Sequence, residues 1–397
     1  MKIIYFYQYF STPKGSWGTR VFEFASEWVK QGHEVTVITS VYSKSDIKAE
    51  KFIEDQVFEG IKVKIINVSI DNKQPFLKRI LTFLQYAITS SWFALTLKTD
   101  VVIASSGPIT VGIPGLIAKY LRGRKLVFET RDLWPEGAIE LGIIKNSVVK
   151  KLAYWFEKKC YNASSLIVAL SSGMRKYIEE IHNHPNVIDV TNAANIKMFS
   201  TPKPFIGRSQ IVPKKYAIYT GNIGEVNNSI WLLEAAIELR KMGREDIKIL
   251  LIGEGKQRND LVEKARKLQL NNFISWDLLP KEDLVGLIQQ SLVSLVPLKG
   301  TPVFDTSSPN KFFESLAAGI PVIQTTNGWM KDFLNEHGVG FTLNPNDSKV
   351  LAETLISVEA NPTLRSEMGI KASLVASKEF DKVNLANKMI KAIQLIE

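Results

Sequence analysis

Along the chain, short uninterrupted apolar runs alternate with longer stretches in which apolar residues recur every three or four positions. Runs at residues 3–7, 35–39, 63–68, 101–104, 126–128 and 166–170 read as strands, with helices at 150–161 and 174–181. The rhythm then restarts, with strands at 217–220, 247–252, 273–276, 293–296 and 321–323 and helices at 230–241, 257–268, 281–290 and 311–318. Strands apolar on both faces and separated by amphipathic helices belong to a parallel sheet covered on both sides. The pattern therefore predicts an α/β protein of two successive parallel-sheet domains, residues 1–200 and 210–380. Near residues 195–214 the stretch TPKPFIGRSQIVPKK has three prolines and no hydrophobic period, the composition of an interdomain linker. Residues 383–397 read as an amphipathic helix that can pack back on the first domain.

Two apolar segments bear on location. Residues 3–7 are too short for a signal-peptide core and read as a first strand, which implies a cytoplasmic protein. Residues 80–97, ILTFLQYAITSSWFALTL, carry no charge and come near the lower length of a membrane span. Thr82, Gln85, Thr89, Ser90, Ser91 and Thr96 dilute the run, so two readings stand: an amphipathic segment lying on a bilayer surface, or a helix packed on a sheet with one greasy side.

Composition narrows the classes. With 45% hydrophobic and 23% charged residues, the 397-residue chain can bury a large core and is neither disordered nor a disulfide scaffold. One cysteine, Cys160, makes no internal disulfide, and four histidines make a Cys/His zinc site improbable. The net charge is +10, and residues 1–200 hold 26 of the basic and 18 of the acidic residues. Such a half can meet nucleic acid, an anionic membrane or a phosphorylated substrate. Nucleic acid is the weakest of these, since no helix-turn-helix, RNP-type strand or Cys/His finger accompanies the charge.

In open parallel sheets, ligands bind beyond the carboxyl ends of the strands. Four such places carry candidate chemistry. QYFSTPKGSWGTR (residues 8–20) follows the first strand, and Gly15 and Gly18 permit close backbone approach before a helix N-terminus. FETRDLWPEG (128–137) crowds Glu129, Arg131, Asp132 and Glu136 around Trp134, either a polar pocket wall or a surface salt-bridge cluster. YTGNIGEVNN (219–228) and IGEGK (252–256) are strands followed by glycines, an arrangement that presents N–H groups to phosphate. Neither fits the Walker pattern or G-x-G-x-x-G, which disfavours P-loop NTPases and dinucleotide-dependent dehydrogenases. In VFDTSSPNKFFESLAAGIPVIQT (303–325), Ser307 or Ser308 is expected to cap a helix carrying Asn310 and Lys311, which can hold a diphosphate. Glu314, three residues after Lys311, can accept hydrogen bonds from ribose hydroxyls; a capped helix with an exposed Lys/Glu pair is the plain alternative.

Together GSWGTRVFEFASEWVKQGHEVTVIT, TRDLWPEG, YTGNIGE, IGEGK and SPNKFFESLAAGIPVI resemble the retaining, nucleotide-sugar-dependent glycosyltransferases of family four. The likeness is strongest to the bacterial branch that builds O-antigen and capsule repeat units, including amino-sugar transferases. It spans nearly the whole chain and implies the GT-B fold, two Rossmann-like domains facing a central cleft. Glu314 then matches the second acid of the family's E-x7-E motif. Donor contacts are implied for Gly15, Gly18, Gly221, Asn222, Gly224, Lys256, Leu278, Ser308, Asn310, Lys311 and Glu314. Acceptor contacts fall to Trp17, Arg20, Trp134 and Glu136, and catalytic groups to Arg131, Asp132, Glu129 and Asp305. Two departures stand out. Eight positions before Glu314 is Thr306 rather than an acid, with Asp305 one place off, and residues 222–229 lack the arginine and lysine that many relatives have.

The resemblance implies transfer, with retention, of an N-acetylated amino or deoxy sugar from a nucleotide diphosphate, most plainly a UDP-sugar, to a lipid-diphosphate-linked saccharide. The expected setting is the cytoplasmic surface of the inner membrane. No protein nucleophile is required, and none is found as a Ser/His/Asp or Cys/His arrangement; the sequence has no Asp-x-Asp, so neither a metal nor a separate cofactor is expected. An epimerase of the same architecture and a non-catalytic sugar-nucleotide-binding subunit are the alternatives.

Overall fold

A computed structural model describes residues 1–71, 74–207 and 210–396; Arg208 and Ser209 of the expected linker lie outside the described residues. The chain forms two compact units. The first comprises Met1–Thr191, Thr306–Ser308 and Lys382–Glu397, and the second Asn192–Asp305 and Pro309–Asp381.

In the first unit the strands are β1 (Lys2–Phe6), β2 (Glu34–Tyr42), β3 (Ile53–Phe58), β4 (Ile61–Ile70), β5 (Val101–Ser105), β6 (Lys125–Thr130), β7 (Leu166–Ala169) and β8 (Val187–Asp189). Its helices are α1 (Arg20–Lys30), α2 (Phe76–Thr96), α3 (Gly112–Arg122), α4 (Glu136–Glu140), α5 (Ser147–Ala163) and α6 (Ser172–His182). The strands lie in the order β3-β4-β2-β1-β5-β6-β7-β8. Every pairing is parallel except β3 with β4. Central strands β5 and β7 are buried along their whole length, which is why their sequences are unbroken apolar runs.

The second unit holds β9 (Tyr216–Thr220), β10 (Lys248–Ile252), β11 (Phe273–Trp276), β12 (Val293–Val296), β13 (Val322–Gln324) and β14 (Gly340–Thr342), all parallel, in the order β11-β10-β9-β12-β13-β14. Its helices are α7 (Ile196–Ser200), α8 (Ser229–Lys241), α9 (Arg258–Lys267), α10 (Lys281–Gln289), α11 (Asn310–Ala317), α12 (Trp329–His337), α13 (Ser348–Ala360) and α14 (Pro362–Glu379). The last helix, α15 (Lys382–Gln394), belongs to the first unit and packs on α1, where the Trp28 indole N–H donates to the Ala386 carbonyl at 2.9 Å.

Strand order reverses between β1 and β5 in one sheet and between β9 and β12 in the other. Crevices open beyond the carboxyl ends of strands at such switch points. The loops there are residues 7–19 and 106–111 in the first unit, and 221–228 and 297–305 in the second.

The uncharged stretch folds as α2, and no helix among the described residues is long and apolar enough to cross a membrane. Its inward face sets Phe93 among hydroxyl-bearing and small residues. Thr82, Tyr86, Ala87, Ser90, Ser91 and Ala94 are buried, and the Tyr86 hydroxyl donates to the Ile38 carbonyl at 2.7 Å. Leu77, Leu81, Leu84, Ile88 and Trp92 face solvent, with Trp92 64% exposed.

Candidate functional site

At the switch point of the second unit two glycine loops lie against each other. Gly221, after β9, has φ 133°, and Gly253, after β10, has φ 155°; a Cβ on Gly253 would stand 1.8 Å from the Gly221 carbonyl oxygen. Only glycine permits that approach. Backbone bonds Gly221 N–H to Ile252 O and Ile223 N–H to Glu254 O, each 2.9 Å, lock the loops together. The Gly224 N–H donates to the Ser229 hydroxyl at 2.9 Å, fixing the turn into α8. Asn222 and Lys256 are exposed in these loops, and Leu278 is half-buried just after β11.

From the opposite side comes α11. It begins at Asn310, with Pro309 rather than the expected Ser307 or Ser308 in the cap position. The extended backbone of Pro309, ψ 131°, delays the helix by one residue. Lys311 reaches back across the loop after β9: its Nζ lies 3.9 Å from the Tyr219 ring centroid and 3.5 Å from Asn227 Oδ1. The Tyr219 hydroxyl donates to Asn222 O at 2.6 Å, holding the ring under the ammonium. Desolvation lowers the Lys311 pKa to about 7, against a smaller upward pull from Glu314. Glu314 is 8% exposed and bonds not to Lys311 but to Lys281, the first residue of α10, at 2.6 Å. Asp305 sits on a short 3-10 turn, where its carboxylate accepts the Asn327 N–H at 2.8 Å.

In the first unit the candidates separate into two kinds. Glu129 and Arg20 are sealed inside, with side-chain exposures of 0% and 1% and an Nε–Oε1 distance of 2.9 Å. Glu129 also accepts from Tyr5 and Ser105, while Arg20 donates to the carbonyls of Val190 and Thr191. Burial pushes the Glu129 carboxyl up, but Arg20, Arg131 and the two hydroxyls outweigh it and hold it below the usual range. Having no free surface, Glu129 does not meet the catalytic role expected of it, nor Arg20 the acceptor role; they form a strut joining β6 to α1.

Arg131 and Asp132 are of the other kind. The Arg131 guanidinium lies 4.9 Å from the Tyr7 ring centroid with one terminal nitrogen buried without a partner, and the backbone N–H of Arg131 donates to the Ser106 hydroxyl at 3.1 Å. Asp132 is solvent-exposed, yet the protein crowding it raises its carboxyl above the usual range, an effect Arg131 partly opposes. Around the loop after β1, Trp17 packs edge-on against Tyr42 at 5.0 Å and Lys44 lies 5.8 Å from its ring centroid. A Cβ on Gly15 would fall 2.2 Å from Ser11 Oγ, so a larger residue there must displace that hydroxyl. Gly18 is half-buried in the same loop, as is Trp134 ahead of α4. Glu136 accepts hydrogen bonds from Tyr154 and Tyr177.

Family comparisons fall on both units. The model for the glycosyl transferase 4-like domain matches residues 15–192, and that for glycosyl transferases group 1 matches residues 206–374. The chain belongs to the family-four glycosyltransferases of GT-B fold. A Pseudomonas aeruginosa protein named as glycosyltransferase WbjE is 24% identical over 72% of this chain and 73% of its own length. WcaI of Escherichia coli K12, named as a colanic acid biosynthesis glycosyl transferase, is 28% identical over 93% and 94%. The crystal structure of Anabaena HepE in complex with UDP and glucose superposes with a TM-score of 0.70 at 16% identity, covering 99% of each chain.

Three residues of this glycosyltransferase had no sequence signal. Gln8, directly after β1, is fully buried with neither side-chain amide atom partnered. Tyr219 reads as a strand residue and Lys281 as an ordinary helix start. Only the fold places the first beneath Lys311 and the second against Glu314.

Proposed function

We propose that this glycosyltransferase moves a sugar, with retention of anomeric configuration, from a nucleotide diphosphate donor to a lipid-diphosphate-linked saccharide in surface polysaccharide synthesis. The observation that carries the reading is the meeting of three features at the switch point of the second unit. These are the interlocked loops at Gly221 and Gly253, the Lys311 ammonium above them, and the Glu314 carboxylate one helical turn on. The loops and the start of α11 hold the diphosphate, the segment at Leu278 faces the base, and Glu314 takes the ribose hydroxyls. The HepE complex with UDP favours a UDP-sugar, and the names of WbjE and WcaI favour a polysaccharide product.

In the reaction, the bond from the anomeric carbon to the leaving phosphate oxygen breaks while the acceptor oxygen bonds to the same carbon from the same face. The acceptor's proton passes to the departing phosphate oxygen. Charge grows on the diphosphate as its bond breaks, so N–H dipoles and Lys311 stabilise the transition state more than the ground state. Arg131 and Asp132 belong to the acceptor side, and the reaction needs no metal.

A thermal-shift panel of UDP-, GDP- and dTDP-sugars, followed by turnover with lipid-linked acceptors, tests the reading. Replacement Glu314→Ala is expected to weaken donor binding about 10- to 100-fold, the worth of charge-assisted hydrogen bonds to two hydroxyls. Donor consumed at full rate without acceptor indicates an epimerase, and binding without turnover a non-catalytic subunit. Loss of activity in EDTA with rescue by manganese would overturn the metal-free mechanism.

A further inference from the structure

Lys311 and Glu314 stand three apart on one helical face, the spacing at which such residues normally pair with each other. Here they do not. The Glu314 carboxylate is taken by Lys281 at 2.6 Å, with side-chain exposures of 14% for the lysine and 11% for the glutamate, while the Lys311 ammonium lies over Tyr219. Two lysines thus divide around one carboxylate. We infer that Lys281 is the positioning residue of the ribose site, orienting Glu314 to receive the nucleotide's ribose hydroxyls and leaving the charge of Lys311 to the diphosphate. The inference rests on the donor reading given above for Glu314.

Three physical arguments support it. An ionised carboxylate has about four acceptor sites. One is used by Lys281, which leaves enough for both hydroxyls of a ribose while removing the freedom of the carboxyl to turn. A buried carboxylate beside a diphosphate would also repel it; an ammonium in contact cancels that repulsion at its source. Finally, Lys281 begins α10 directly after residues 277–280, the loop leading from β11 and containing Leu278. The ion pair therefore ties the segment expected to face the base to the helix expected to face the ribose and diphosphate.

The test compares affinities for UDP and 2′-deoxy-UDP, with GDP and 2′-deoxy-GDP in parallel, and uses whichever pair binds tighter. Wild-type protein should prefer the ribonucleotide by about 10- to 100-fold, the worth of a charge-assisted hydrogen bond. Glu314→Ala should lose this preference, Lys281→Met should lose most of it, and Lys281→Arg should keep it. A protein merely destabilised by Lys281→Met would bind both nucleotides less well at an unchanged ratio. Should that variant fail to fold, Lys281→Gln serves in its place and is expected to retain well under the wild-type ratio. Wild-type discrimination in Lys281→Met or Lys281→Gln overturns the inference while Glu314 keeps its role. Undiminished discrimination in Glu314→Ala, or no binding of either nucleotide pair, overturns the donor reading as well.

Discussion

Lys311 takes a lowered pKa, about 7, from desolvation above the Tyr219 ring. The sign of its effect on binding follows. Below pH 7 the ammonium is already charged when the donor arrives; above it, binding must take up a proton. Donor affinity should therefore weaken on the alkaline side, by up to about tenfold per pH unit until the pKa of the complex is reached. Titration with the intact nucleotide sugar checks this, and Lys311→Arg should flatten the profile because its guanidinium stays charged. Inside the first unit, Arg20 and Glu129 exchange charge where no solvent reaches. Arg20→Met should cost about 3–5 kcal/mol in denaturant unfolding, since it strands a buried carboxylate, and adding Glu129→Gln should recover part of that. Because the folded pKa of Glu129 is depressed, its contribution is present above the ordinary glutamate range and fades as pH falls below it. Sequence spacing placed Lys311 and Glu314 on one face, but only the fold supplies Lys281 as the true partner. Glu129 and Arg131, two apart on one strand and its exit, looked alike as charges; burial gives them different work.

At the scale of elements, strands whose surroundings are wholly apolar were legible and strands at the margins were not. Central β5 and β7 are buried throughout and stand out as apolar runs. Edge strand β3, IEDQVF, alternates exposed and half-buried residues and carries two acids, so its sequence reads as a loop until β4 pairs with it. Three-residue β8 and β14 are too short to show a period. The uncharged run around residue 90 supported two readings, a bilayer-surface segment or a helix packed on the sheet, and α2 is packed. It packs on the unit through Phe93, Tyr86 and several hydroxyl-bearing and small residues, with Leu77, Leu81, Leu84, Ile88 and Trp92 outward. Tyr120 and Leu121 at the end of neighbouring α3 are also exposed, and Lys78, Arg79, Lys119, Arg122 and Arg124 lie in or beside the two helices. An outward apolar stripe with basic neighbours suits the surface of an anionic bilayer. Replacing Leu81, Ile88 and Trp92 by serine should lower binding to phosphatidylglycerol-containing vesicles by about 1000-fold or more, given about 1.5–3 kcal/mol for each of the three buried side chains. The melting temperature should hardly move, because these side chains are exposed in the free protein. Unchanged vesicle sedimentation would remove α2 from the membrane reading.

For the molecule as a whole, the path of the chain matters as much as its two sheets. After completing the second unit it returns to the first, where α15 buries Leu385, Ala386, Met389, Ile390 and Ile393. Trp28 on α1 is fully buried, stacked with Tyr5 at 6.1 Å and hydrogen-bonded to the Ala386 carbonyl. The first unit's core is therefore finished by a helix that follows the whole second unit along the chain. Deleting residues 382–397 removes four large apolar side chains from that core and leaves the indole N–H of Trp28 without its acceptor. At about 1.5–3 kcal/mol per buried side chain the loss is of the order of a domain's entire stability. No element of the second unit is removed by the deletion. Limited proteolysis of the truncated chain should thus cleave within residues 1–191 while a fragment covering the second unit persists, and nucleotide-sugar binding assigned to the second unit should outlast acceptor turnover. Equal resistance of both units to protease in the truncated chain would show instead that α15 adds little to the first unit's core.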